Sequence, residues 1–318
     1  MPFTEIPILD AAPLAEGRPQ DLAPAFAKAF GETGFGCIVN HGVPQETIDA
    51  VFAASAAFHA LPQDAKMAVA LNDRHRGFIP INTSTDVNSK LADVKRPNQS
   101  ESFMMMREDA LGEPAVYLGG PNQWPDLDGF REAVTAYHDA LADLGWRLMQ
   151  AAALAVGADP GVLAPAFQRP TTWLRLLHYP STDPAETDLY GSAPHTDFGC
   201  LTILAQDDVG GLQVQTPDGV WIDAPRIDGA FVVNVGDMLH RWSNGRLKST
   251  PHRVINTSGR ERYSCPFFYD PDVATMIAPL DACVTPESPA KFEPILFETF
   301  LRAELGAGYD QHKEFETS

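Results

Sequence analysis

Trp173-Leu174-Arg175-Leu176-Leu177-His178-Tyr179 opens a series of short apolar-rich runs that decides the fold. Leu201 to Ala205, Leu212 to Gln215, Val220 to Asp223, Ala230 to Val235, His252 to Asn256 and Arg262 to Tyr269 follow, each bounded by turn residues. Such runs, with no helical pattern between them, predict an antiparallel sandwich or closed barrel. Pro217-Asp218-Gly219 and Thr257-Ser258-Gly259 read as hairpin turns. The second predicts that 252–256 and 262–268 form one hairpin. If 256 pairs with 262, then 254 pairs with 264, and residues 252, 254, 256, 262 and 264 share the inward face.

Working outward, the chain before this core reads as mixed. Ile6 to Asp10 suits a short edge strand, Leu22 to Thr33 a helix stopped by Gly34, Phe35 to Asn40 a strand, and Pro44 to Leu61 a second helix. Phe130, Val134, Tyr137, Leu141, Leu144 and Leu148 repeat at spacings of four and three. That stripe predicts an amphipathic scaffold helix between Asp126 and Gly157. A last helix is expected over about Pro289 to Glu304. The resulting division is a mixed α/β region at 1–118, scaffold helices at 119–171, a β core at 172–272 and a C-terminal helical segment at 273–318. No break in composition separates them, so one compact unit is expected.

The 318 residues carry 23 Lys plus Arg against 42 Asp plus Glu, a formal charge of −19. Nucleic acid and anionic membranes both need a cationic surface, so neither is an expected partner. Apolar residues at 44% and charged residues at 20% describe a globular chain with a small ligand rather than a disordered one. The four cysteines, Cys37, Cys200, Cys265 and Cys283, form no CxxC pair and read as reduced thiols. No signal peptide or membrane span is visible, which suits a cytoplasmic protein. Oligomeric state is not legible.

The chemistry lies in His195-Thr196-Asp197 and His252. Residues i and i+2 of an extended segment point to one side, so an imidazole and a carboxylate reach the same point. With His252 from a later strand they make a two-histidine, one-carboxylate triad. Such a triad holds Fe(II) on one face and leaves three coordination positions open. A lone His-x-Asp is common by chance, and most of the nine histidines, such as His59 on its helix, are expected to be structural. The downstream pair gives the triad weight. Arg262 presents a planar cationic fork suited to a carboxylate, and Ser264 adds a hydroxyl two residues on.

His-x-Asp, a long gap, His, then Arg-x-Ser ten residues later resembles the 2-oxoglutarate and Fe(II)-dependent oxygenases of the isopenicillin N synthase-like group. The resemblance extends over Gly34-Phe35-Gly36, Asn40-His41-Gly42-Val43, Arg76-Gly77-Phe78-Ile79-Pro80, Gly210-Gly211-Leu212-Gln213-Val214, Asn234-Val235-Gly236-Asp237 and Ser249 to Val254. It implies a mainly β fold with flanking helices around a double-stranded β-helix, or jelly roll. It implies that His195, Asp197 and His252 ligate iron, and that Arg262 and Ser264 bind the C5 carboxylate of 2-oxoglutarate. Tyr179 matches a tyrosine that contacts the same carboxylate. Phe268 matches a position facing the primary substrate. Plant members commonly have Asn where this chain has Leu177, so that contact is lost or replaced.

The implied reaction oxidises a small-molecule C–H bond, by hydroxylation or a related step, with Fe(II), 2-oxoglutarate and O₂, releasing succinate and CO₂. Two alternatives stand beside it. One is an isopenicillin N synthase-type Fe(II) oxidase that uses no 2-oxoglutarate. The other is a non-catalytic barrel that binds a small molecule. Candidate substrate contacts are Phe268, Arg175 and Phe103, with Met104-Met105-Met106 as an apolar wall or simply a buried strand. Arg175 shares the parity of Leu177 and Tyr179, so an inward guanidinium is expected there, available to an anionic group. Arg74-His75-Arg76 reads as a solvated basic turn.

Overall fold

The computed structural model describes residues 3–83, 91, 94, 96–109, 116–182 and 189–308. The strands are β1 (Ile8–Asp10), β2 (Phe35–Val39), β3 (Gly77–Ile79), β4 (Glu101–Met106), β5 (Thr171–Tyr179), β6 (Ser192–His195) and β7 (Leu201–Gln206). They continue with β8 (Leu212–Gln215), β9 (Trp221–Asp223), β10 (Phe231–Val235), β11 (His252–Val254), β12 (Arg262–Asp270), β13 (Met276–Ile277) and β14 (Ile295–Leu296). The helices are α1 (Ala12–Ala15), α2 (Pro19–Glu32), α3 (Gln45–His59), α4 (Gln63–Met67), α5 (Phe130–Ala155), α6 (Asp237–Trp242) and α7 (Phe297–Gly308).

Eight strands form a major sheet in the order β1-β2-β10-β7-β12-β5-β4-β3, and four form a minor sheet in the order β6-β11-β8-β9. The two faces of the major sheet have different neighbours. Toward the helices it buries one large core against α2, α3 and α5, including the Phe130, Val134, Tyr137, Leu141, Leu144 and Leu148 stripe. Toward the minor sheet it buries a smaller core of Phe35, Cys37, Leu177, Tyr179, Val232, Leu212, Val214 and Val254. A central strand buried on both faces reads as a nearly continuous apolar run, and β10, Phe231-Val232-Val233-Asn234-Val235, is buried along its whole length. This is the jelly-roll architecture with flanking helices. The major sheet recruits β1 to β4 from the first 118 residues.

Three expectations need correction. First, β11 and β12 do not form a hairpin. β11 lies in the minor sheet with β6 on one edge and β8 on the other, whereas β12 lies in the major sheet between β5 and β7. Both edges of each strand are taken, so neither has a free ladder for the other. The turn between them is closed by side chains instead. Asn256 Nδ2 donates to the Arg260 carbonyl at 2.8 Å, and Ser258 Oγ donates to Asn256 Oδ1 at 2.7 Å. Second, the last helix starts at Phe297, not near Pro289. Pro294 disfavours helix at Glu293, and Ile295–Leu296 pair with Met276–Ile277. Third, Arg76 is buried at 1% exposure rather than solvated. Its guanidinium donates to the carbonyls of Arg74, Leu118 and Arg107, which offset the desolvation.

Candidate metal and cosubstrate site

β6 and β11 are antiparallel neighbours, and His195 and His252 stand directly opposite each other in that ladder. Cross-strand partners bring Cβ atoms within about 5 Å, and the two imidazole centroids are 4.3 Å apart. His195 closes β6, and Asp197 lies in the turn that follows. The turn is held by backbone bonds: Asp237 N–H donates to the Asp197 carbonyl and Met238 N–H to the Gly199 carbonyl. Asp197 Oδ1 lies 3.6 Å from His195 Nε2 and 3.7 Å from His252 Nε2. One ligand atom from each residue falls within 4.8 Å of the other two, a spacing that a single metal ion can bridge.

The donor chemistry fits an ion. His195 Nδ1 donates to the Ala193 carbonyl at 2.7 Å, and His252 Nδ1 to the Thr250 carbonyl at 3.2 Å. A carbonyl only accepts, so Nδ1 carries a proton in each ring and Nε2 is the nitrogen turned to the centre, where the neutral ring offers its lone pair to a metal. Burial pushes the Asp197 carboxyl up. The imidazoles of His252 and His195 and the hydrogen bonds from Asn234 and Thr202 outweigh it, so the group sits below its ordinary value and stays an anion.

A cavity of about 80 Å³ opens on the triad and runs between the sheets. Its walls include Phe35, Leu177, Leu204, Leu212, Val254, Pro266 and Phe268, with Tyr179, Arg175, Arg262, Ser264, Thr202 and Asn234 among its polar points. Strand alternation explains the selection. Arg175, Leu177 and Tyr179 share one face of β5, and Arg262, Ser264, Pro266 and Phe268 share one face of β12. Arg262 pairs with Tyr179 in register and Ser264 with Leu177. So the two residues reach the triad's cavity from the sheet opposite His252, not from beside it.

Arg262 is fully buried, at 0% exposure. It donates to the Gly210 carbonyl and, at 3.2 Å, to Ser264 Oγ, and its guanidinium lies 4.6 Å over the Tyr179 ring. Arg175 donates through Nε to Ser102 Oγ at 2.8 Å. Among the described residues no carboxylate lies within 4.0 Å of either guanidinium. A buried cation without a protein counter-charge is expensive unless an anion joins it. The cavity therefore has two cationic points that a ligand can satisfy.

Phe103 is the candidate that the structure removes from the cavity. It is fully buried on the other face of β4, with ring centroids 5.1 Å from Phe58 and 5.1 Å from Phe130. Alternation sends Ser102 and Met104 toward Arg175 and Phe103 toward the helices. The Met104-Met105-Met106 run is a buried strand. Two contacts to the triad had no assigned role in the sequence, Thr202 and Asn234. Thr202 has the parity of Leu204 in its run, and Asn234 is the one polar residue in an otherwise apolar strand; those were the available signals.

Comparison with known proteins agrees with this geometry. Residues 170–271 match the 2OG-Fe(II) oxygenase superfamily, and residues 6–127 match the non-haem dioxygenase N-terminal region named from morphine synthesis. The 2-oxoglutarate-Fe(II) type oxidoreductase hxnY of Emericella nidulans is 34% identical, covering 98% of this chain and 93% of that protein. The chain belongs to the 2OG-Fe(II) oxygenase superfamily. A Neurospora crassa protein solved with alpha-KG and thymine superposes with a TM-score of 0.83 at 30% identity over 95% of this chain and 96% of that one. JOX2, solved with 2OG, Fe and JA, has a TM-score of 0.79 at 29% identity, covering 98% and 89%. This oxygenase is thus an oxidoreductase that uses Fe(II), 2-oxoglutarate and O₂, and the alternative of an oxidase without 2-oxoglutarate is not favoured. No helix among the described residues is long and apolar enough to cross a membrane.

Proposed function

We propose that His195 Nε2, His252 Nε2 and Asp197 Oδ1 hold the Fe(II), that Arg262 and Ser264 bind the distal carboxylate of 2-oxoglutarate, and that the protein oxidises a C–H bond of a small molecule. The observation that carries this is the shared cavity: the three ligand atoms and a buried, uncompensated guanidinium face one space. When bound, Fe(II) would activate O₂, the oxidant, with two of its four electrons coming from 2-oxoglutarate as it becomes succinate and CO₂ and two from the substrate C–H bond.

The chain's own residues do the rest. The carbonyls of Ala193 and Thr250 orient the two imidazoles. Tyr179 covers one face of the Arg262 guanidinium and Ser264 holds one edge, leaving further N–H groups for a carboxylate. Leu177, Leu204, Leu212 and Val254 exclude water from the space between them. Phe268 and Arg175 stand at the same cavity and are assigned to the primary substrate. Arg175, tied at Nε and open at its Nη atoms, suits an acidic or oxygen-bearing group on an otherwise apolar body. The two solved proteins hold small ligands, thymine and JA, which is compatible with a substrate of that size.

The test is to reconstitute the protein with Fe(II) without air, add 2-oxoglutarate, admit O₂, and screen small acids and heteroaromatic compounds for stimulated succinate formation. Stimulation by at least one such compound is expected. Succinate formation that persists in Asp197→Ala, or that does not depend on 2-oxoglutarate, overturns the assignment.

A further inference from the structure

The two oxygens of Asp197 have different surroundings. Oδ1 faces both imidazoles. Oδ2 accepts a hydrogen bond from the Thr202 hydroxyl and another from Asn234 Nδ2 at 2.7 Å. Thr202 and Asn234 stand directly opposite one another on the paired strands β7 and β10. Both are buried, and both face the cavity from a wall that is otherwise apolar on either side, with Leu204 and Val232 as their neighbours of like parity. A buried hydroxyl and a buried amide cost desolvation wherever they stand. Here the donor of each is directed onto one oxygen of one carboxylate.

A carboxylate can bind a metal through one oxygen or both. The triad is useful because three ligand atoms leave three positions vacant; a second oxygen from Asp197 would remove one. We infer that Thr202 and Asn234 form a cross-strand oxygen lock: by occupying Oδ2 they hold Asp197 to one-oxygen coordination and keep that position available to 2-oxoglutarate and O₂. The two are positioning residues, acting through Asp197. This rests on the metal assignment proposed above, and its test separates the two.

The readout is the carboxylate infrared difference spectrum of the Mn(II)-loaded against the metal-free protein. The gap between the antisymmetric and symmetric stretches is wide for one-oxygen and narrow for two-oxygen binding. Calorimetric titrations of Mn(II), then of 2-oxoglutarate, accompany it. Thr202→Val keeps shape and removes the donor. It should narrow the gap, leave Mn(II) affinity unchanged or tighter, and weaken 2-oxoglutarate by about tenfold. Thr202→Ser should restore all three values, and Thr202→Val/Asn234→Leu should narrow the gap further. An unchanged gap in both donor-deleted proteins overturns the lock while leaving the metal site intact. So does a parallel loss of Mn(II) and 2-oxoglutarate affinity, which marks a merely structural role. Failure of the unaltered protein to bind Mn(II) overturns the metal assignment and the lock together.

Discussion

Replacing Arg262 by Met tests whether the buried guanidinium belongs to the cosubstrate. Arginine has five N–H donors. Here Nε serves the Gly210 carbonyl, Nη1 reaches Ser264 Oγ at 3.2 Å, and Nη2 stands 3.5 Å from Gln206 Oε1. The last contact is long, so most of the outer edge of the fork is available. Removing one member of a buried, hydrogen-bonded charge pair costs about 2–5 kcal/mol. At about 1.4 kcal/mol per tenfold, the Kd for 2-oxoglutarate should rise about 30- to 4,000-fold. Stability without ligand should move little. The substitution leaves the Gly210 carbonyl short of a donor, about 1–3 kcal/mol, but it also removes an uncompensated buried charge, and burying apolar volume in place of charge is often neutral or stabilising. The two effects oppose. The assay is thermal unfolding of the Mn(II) protein across a 2-oxoglutarate titration. The unaltered protein should gain about 2.7 kcal/mol at a hundredfold excess over its Kd, and Arg262→Met should gain about 0.9 kcal/mol or less at that concentration. A Kd within about threefold of the unaltered protein, a difference under about 0.7 kcal/mol, would mean that the guanidinium faces something else.

Asp197→Ala or His252→Ala should abolish succinate formation and weaken Mn(II) binding, because each removes one of the three ligand atoms that lie within 4.8 Å of one another; a metal titration and a succinate assay check both. Arg175→Leu should raise the KM for an acidic substrate by about tenfold or more, a lost charge-assisted contact, while 2-oxoglutarate turnover without substrate persists; equal KM values for acid and amide forms of the substrate would count against Arg175 as its anchor. Burial pushes the His59 imidazole down to about 4 from its ordinary 6.5, with Lys66, His178, Glu101 and Tyr263 packed around it. A depressed folded-state value means that the unfolded chain takes up the proton first, so stability present above pH 6.5 is lost as pH falls toward 4. The loss is on the order of 3 kcal/mol, and His59→Phe should flatten denaturation midpoints across that window. Glu101 is held down to about 2: burial raises it, but the hydrogen bonds from His178 and Lys66 prevail. Its contribution is therefore lost lower, below pH 4.5, and Glu101→Gln should leave the pH 6.5 to 4 slope in place.

How much of this was legible depended on whether the signal was local. Each of the seven short runs after Thr172 became a strand, because alternating apolar residues between turn residues need no knowledge of partners. The α5 stripe was legible for the same reason. Pairing was not, and the segment from His252 to Ser264 shows why. A Ser-Gly turn closes a two-residue hairpin, and it also closes a corner that carries the chain from one sheet to the other about 10 Å away. The decision lay in residues far off in sequence, Ser192 to His195 and Leu212 to Val214, which occupy both edges of β11. The strand at Glu101–Met106 was one of two readings of that stretch, and it stayed undecided for a different reason. Its six residues are all buried, so the polar alternation that marks a strand with one wet face is absent.

The site survived the wrong pairing because parity within a strand does not depend on which strand lies beside it. Arg262 and Ser264 point inward whether they pair with β11 or with β5, so their presence beside the triad could be read, while the side from which they approach could not. The true arrangement has a consequence for the chemistry. On the assignment proposed above, His195 and His252 from the minor sheet and Arg262 and Ser264 from the major sheet would grip opposite ends of whatever lies between them. The spacing of the two sheets, set by Leu177, Leu204, Leu212, Val214 and Val254, then becomes part of the recognition of 2-oxoglutarate. Leu212→Ala, a large-to-small change in that layer, should therefore weaken 2-oxoglutarate more than it weakens Mn(II), since the proposed metal ligands are braced by the β6–β11 ladder, by the Asp197 turn and by the hydrogen bonds from Thr202 and Asn234, none of which passes through Leu212. Equal losses for both ligands would show that the two sheets do not act as independent jaws.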